Sequence, residues 1–136
     1  MLVISKKHRL AAKTAVSINE LEKERWVLFE RGASIRRSTD DFFKKVHVKP
    51  EKALESNDTY FVKLMVEHGL GVSLMPSWTV REEIKAGKLA QVGIKGHKLQ
   101  RSVSMVSLKG SKSGPIRAFI EYILDQKPRL QAAASE

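Results

Sequence analysis

Cysteine is absent from the 136 residues, which removes disulfides and thiolate metal sites from consideration. A reducing cytoplasm suits such a chain, and the periplasm would suit it as well. Long hydrophobic runs are also lacking. No stretch approaches the roughly 20 apolar residues of a membrane span. The opening Met1-Leu2-Val3-Ile4-Ser5-Lys6-Lys7 has too short an apolar run for a signal peptide, and its charges follow that run. A soluble, cytoplasmic protein is expected. Missing too are any block of like charge, any arginine-rich helix, any internal repeat and any low-complexity linker. The net charge is +10, but it is dispersed. Residues 1–25 carry six basic and three acidic groups, 95–136 carry eight and three, and the middle is near balance with eleven and nine. Dispersed lysine of this kind reads as a solvated surface. Contact with nucleic acid through it would be non-specific and salt-sensitive.

What is present is a globular mixture, 42% hydrophobic and 29% charged, able to bury a core. Strand and helix patterns alternate. Leu2-Val3-Ile4 reads as a short strand. Ser17 caps a single turn, with Glu20 three residues on completing a capping box. Trp26-Val27-Leu28-Phe29 has the continuous apolar character of a strand buried on both faces. Glu30-Arg31-Gly32-Ala33-Ser34 turns the chain, with Ser34 as the expected cap. A helix follows from Ile35 to Val46, with Ile35, Thr39, Phe42, Phe43 and Val46 inward. Lys52-Ala53-Leu54-Glu55 is a weak strand, and Ser56-Asn57-Asp58 opens a second helix. That helix is predicted to bury Phe61, Val62, Met65 and Val66 and to end at Gly69. Strand 71–75 is stopped by Pro76, a third helix runs from Val80 to Ala86, and strands follow at 89–92 and 103–107. Pro115 opens the last helix, with Ile116, Phe119, Ile120, Ile123 and Leu124 as its apolar stripe. The pattern predicts an α/β fold with a mostly parallel sheet flanked by helices.

No catalytic constellation emerges. Gly69-Leu70-Gly71 follows a helix and precedes a strand, the reverse of a dinucleotide fingerprint. Ser34 and Ser73 lie outside any G-x-S-x-G elbow. His8, His47, His68 and His97 are scattered with no acid at ligand spacing. Asp40 and Asp41 are adjacent on a helix and point about 100° apart. No cofactor, no metal and no enzymatic activity are expected. Three helix starts remain that follow strands, where open α/β sheets bind small molecules. They supply the candidate binding residues Gly32, Ala33 and Ser34, then Ser56 and Asn57, then Met75 and Pro76, with Arg36 and Arg37 adding positive charge. The same positions also suit ordinary helix caps, and both readings stay open.

Several segments resemble one family as an ordered set. Trp26-Val27-Leu28-Phe29-Glu30-Arg31-Gly32 with Ile35-Arg36-Arg37 is similar to one family segment. Gly69-Leu70-Gly71-Val72-Ser73-Leu74-Met75-Pro76 is similar to its G-L-G-(I/V)-x-(L/I)-(L/M)-P signature, and Gly87-Lys88-Leu89 to the G-x-L that follows. Lys7-His8-Arg9-Leu10-Ala11 resembles its HPLA segment, with Arg9 in place of proline. From about residue 2 to 126 the chain resembles the effector-binding region of LysR-type transcription regulators. The resemblance implies a Rossmann-like lobe of the type II periplasmic-binding-protein-like fold plus an incomplete second lobe. Residues 1–6 would be a strand crossing from the first lobe, 7–93 the complete second lobe, and 94–136 a return to the first. It further implies a small-molecule effector, a homodimer or higher self-association, and DNA contact only through an N-terminal domain that these residues do not contain. The positive helix ends at the three turns, with Arg36 and Arg37, favour an anionic effector. The alternative is a small Rossmann-like enzyme or carrier. A DNA-associated basic protein is a third reading, poorly served by the dispersed charge.

Overall fold

The computed structural model describes residues 1–99, 104–110 and 113–130. They divide into two compact units, Met1–Arg101 and Ser102–Glu136. The first unit is built on strands β1 (Leu2–Ser5), β2 (Ala15–Val16), β3 (Arg25–Phe29), β4 (Glu51–Ser56), β5 (Ser73–Leu74) and β6 (Leu89–Ile94), with helices α1 (Ile18–Leu21), α2 (Ser34–Val46), α3 (Thr59–Glu67) and α4 (Arg81–Lys85). Four strands are ordered β2-β6-β1-β5 and two pair as β3-β4. A parallel bridge between Trp26 and Val72 links the two sets. Strand β1 is antiparallel to β5 and β6, while β2 is parallel to β6 and β3 to β4. All strands but β1 therefore run in one direction, which fits the mostly parallel sheet of the sequence reading.

Apolar residues on both faces of the strands explain the layers. From β1, Leu2 and Ile4 enter a core with Trp26, Leu28, Phe42 and Phe43. Val3 points the other way, into a core with Val27, Val62, Val66, Met75 and Val80. Alternation along a strand produces this division, and helices cover both faces: α2 closes the first core and α3 the second. Trp26 is fully buried, its ring edge-on to Phe43 at 4.7 Å. Helix α3 ends as its glycine predicts. Gly69 has φ +79°, and the N–H groups of Gly69 and Leu70 donate to the carbonyls of Val66 and Met65, each at 3.0 Å. That is the Schellman arrangement. Gly71 has a different duty: a Cβ there would lie 2.4 Å from the Arg25 carbonyl oxygen, so only glycine lets the two strands approach.

Several details depart from the sequence expectations. The cap of α2 is Ala33, not Ser34. The turn closed by the Ala33 N–H on the Glu30 carbonyl at 3.3 Å leaves Ala33 extended, and Ser34 is already helical. Phe61 is 38% exposed, because Val62 and Val66, four apart, define the inward face and Phe61 lies one step off it. The predicted strand 71–75 is ordered as strand only at Ser73–Leu74. A 3-10 turn at Ser77–Thr79 precedes α4. In the second unit, residues 104–108 form no strand; they have no ladder partner among the described residues, and Val103 lies outside them. The expected final helix is present as α5 (Gly114–Asp125), with proline in its first turn. No helix of the described residues is long and apolar enough to cross a membrane.

Candidate functional site

The seven residues singled out by sequence gather along one edge of the sheet. Strand β3 pairs with β4 in the register Phe29 to Ser56, so both strands end together. On the other side of β3, the Trp26–Val72 bridge sets β5 alongside. The loops after β5, β3 and β4 are thus side by side, spanning about 10 Å at ordinary strand spacing. The loop before α2 and the first residue of that helix, Gly32-Ala33-Ser34, occupy the centre; Ser56-Asn57 flank them on one side and Met75-Pro76 on the other. The N–H of Glu30 donates to the Ser56 carbonyl at 3.1 Å, a direct stitch between two of the loops.

Availability differs among the seven. Gly32, Ser34 and Asn57 are exposed, and Ala33, Ser56 and Pro76 half-buried. Met75 is buried at 2% exposure. Its backbone N–H and C=O are both engaged by Met1, at 3.0 and 2.8 Å, so its part is to anchor the edge. The Ser56 hydroxyl accepts the Asp58 N–H at 3.1 Å. The Pro76 carbonyl accepts both the N–H and the hydroxyl of Thr79, at 3.2 and 2.8 Å.

The two full helices that start here are not equivalent. Helix α3 is capped by the Asp58 carboxylate, which accepts the N–H groups of Tyr60 and Phe61 at 2.8 and 3.4 Å. Its positive end is thereby satisfied from within. Helix α2 has 13 residues, no acidic residue in its first turn and, at Ala33, no side chain able to cap. An anion presented at this edge meets the N-terminal dipole of α2 with less internal competition.

Arg36 was expected to add charge toward a ligand, and here the structure corrects the reading. The residue is 7% exposed. Its Nε donates to Asp40 at 2.8 Å, and its Nη1 donates to the Phe29 carbonyl and to Glu55, each at 2.7 Å. Burial works against the Arg36 charge, but the bonds to Asp40 and Glu55 outweigh it and its pKa is raised. The Arg36 bond holds the Glu55 carboxyl below its usual range. The spacing of Arg36 and Asp40, four apart on a helix, was a usable signal for half of this network; nothing local marks Glu55.

A second polar cluster lies at the opposite end of the sheet, around a depression of about 450 Å³ lined by Ser5, Lys7, His8, Arg9, Glu67, His68 and Gly69. The Ser5 hydroxyl donates to the Glu67 carbonyl at 2.9 Å, while Glu24, 7% exposed, pairs with both His8 and Arg9. These groups hold the turn after β1 and serve structure. Among the described residues, no group of three or more histidines and acids is placed to hold a metal ion.

Comparison with known proteins decides the family. The family model described as the LysR substrate binding domain matches residues 1–128. The chain belongs to this family. Among curated relatives, the RuBisCO operon transcriptional regulator of Acidithiobacillus ferrooxidans is 29% identical over 117 residues, covering 85% of this chain and 38% of that protein. The regulator YybE of Bacillus subtilis is 25% identical over 118 residues, covering 86% and 39%. The chain thus spans about two-fifths of the length of these relatives, which are transcriptional regulators. Among solved structures, the effector-binding domain of QuiR in complex with shikimate superposes with a TM-score of 0.78 at 19% identity, covering 94% of this chain and 60% of that one. The regulatory domain of CcmR from Synechocystis in complex with 2-PG gives 0.75 at 20% identity, covering 91% and 60%. At these identities the LysR substrate-binding likeness in structure is one of fold.

Proposed function

We propose that this chain is the effector-sensing module of a LysR-type transcription regulator, a binding module and not a catalyst. In this reading a small anionic metabolite binds at the edge formed by Gly32, Ala33, Ser34, Ser56, Asn57, Met75 and Pro76. The observation that carries it is the side-by-side placement of the starts of α2, α3 and the Ser77–Thr79 turn in a chain of this family, the N-cap of α2 being an alanine that makes no capping bond. Two solved relatives in fold are complexes with small molecules, shikimate and 2-PG, which supports the class of ligand. Residues 7–93 would be one complete lobe, 1–6 the strand crossing into it, and 94–136 the return to the other lobe, whose remaining wall would complete the cleft. Base reading would belong to a helix-turn-helix outside these residues. The working form would be a cytoplasmic homodimer or higher assembly.

The test is a ligand screen of small carboxylates and phosphates, beginning with 2-PG and shikimate, on the protein and on Ser34→Ala and Asn57→Ala. Each substitution is expected to weaken binding of the effector found by about tenfold, the worth of one hydrogen bond to a charged group. Undiminished affinity in both variants would remove the site from this edge.

A further inference from the structure

Two of the three loops at the edge are tied at their base by one side chain. Arg36 lies two residues beyond Ser34. Its Nη1 reaches the carbonyl of Phe29, the last residue of β3, and the carboxylate of Glu55, the residue before Ser56, each at 2.7 Å. Its Nε returns to Asp40 at 2.8 Å, fixing the guanidinium on its own helix. The plane of the guanidinium thus spans the end of β3, the end of β4 and the first turns of α2. With 7% exposure and two carboxylate partners, its charge is spent inside the protein and is not offered to a ligand.

We infer that Arg36 is a positioning residue of the candidate site: it sets the spacing between the Gly32–Ser34 loop and the Ser56–Asn57 loop without contacting what binds there. The inference rests on the reading of this edge as the effector site. A second direct bond between these loops is the Glu30 N–H on the Ser56 carbonyl at 3.1 Å. Its persistence reports on the clasp. Planarity matters as well as charge, since a lysine ammonium cannot serve three acceptors arranged around a flat fork.

The experiment is amide hydrogen exchange on the full 136-residue chain without ligand, comparing Arg36→Met, Arg36→Lys and Glu55→Gln. Arg36→Met is expected to speed exchange at Glu30 and Asp58 by about tenfold or more, because local opening is controlled by local bonds. The amides of Val27 and Val72, bonded to Val72 and Arg25 carbonyls within the sheet, should change less than about twofold on the same logic. Arg36→Lys should fall between, and Glu55→Gln, which keeps an acceptor, should stay near the parent. Unchanged exchange at Glu30 and Asp58 in both Arg36 variants overturns the proposal. So does acceleration spread evenly to Val27 and Val72, which would make Arg36 a general stabiliser. If Arg36→Met fails to fold, Arg36→Lys against the parent carries the same comparison, with Glu55→Gln as the variant expected to stay unchanged. Because no ligand enters this measurement, it is separate from the effector reading. Local opening together with unimpaired ligand binding in Ser34→Ala and Asn57→Ala would retain the clasp and reject the edge as the effector site.

Discussion

Phe42 and Phe43 of α2 and Phe119 of α5 sit on the apolar stripes of amphipathic helices, yet the first two are 6% and 4% exposed and the third is 59%. Neighbours on α5 behave alike, with Ile116 at 50% and Leu124 at 58%. The helices are similar in length, 13 and 12 residues. What differs is the surface beside them. Residues 1–101 contain every strand assigned among the described residues, and α2 closes directly on that sheet. The second unit offers α5 no strand among its described residues. A periodic stripe makes a helix one-sided; burial requires a second element of matching apolarity. Each large apolar side chain left in water forgoes about 1.5–3 kcal/mol, so the stripe of α5 favours association with another apolar surface.

The sharpest test of that contrast pairs one substitution in each unit. Trp26→Ala should lower the unfolding free energy by about 3–5 kcal/mol, the range for a buried aromatic, in a urea titration followed by circular dichroism. Phe119→Ser should leave the same transition within about 0.5 kcal/mol, as surface changes do, while reducing self-association in sedimentation at micromolar concentration. Equal destabilisation by the two would place α5 in the same core and erase the distinction. A smaller effect separates the helix caps. Asp58→Ala should cost about 1 kcal/mol by freeing the donors of Tyr60 and Phe61. Ser113→Ala, at the start of α5, should cost nothing measurable, because the Ser113 side chain makes no capping bond. The smallest is a pH effect confined to the first unit. The Glu20 carboxyl is pushed down to about 2 by the bond from Lys13 and then by the N–H and hydroxyl of Ser17. A depressed carboxyl adds stability above its unfolded pKa and loses it on acidification. The turn at Ser17 should therefore be fully held above about pH 4.5 and released between there and about pH 2. Carboxyl NMR would read this directly; a Glu20 midpoint near the ordinary value would dismiss the capping box.

The sequence is most legible where one local rule governs one local event. The glycine after α3, the Ser17–Glu20 box and the apolar run at Trp26–Phe29 all depend on neighbours within a few residues. The placement of the seven edge residues, as distinct from any role, was legible for the same reason, since they lie where strands end and helical turns begin. Arg36 was misread because its partners are distant: Phe29 is seven residues back and Glu55 nineteen ahead, and only the register of β3 against β4 brings them together. The absence of strand at 104–107, the described part of the strand predicted at 103–107, is the same lesson reversed. Apolar alternation proposes a strand, but hydrogen bonds to a partner make one.

Strand β1 carries a consequence for how the molecule forms. Leu2 pairs with Leu74 on one side and Val92 on the other. During synthesis the middle strand of the sheet is thus made before either of its flanking partners, and must wait until residue 92 has left the ribosome. Such distant closure slows folding relative to local hairpins, since chain entropy is surrendered before the contacts return it. Over that interval Leu2, Val3 and Ile4, all fully buried in the finished sheet, stay open to any other strand edge that reaches them first.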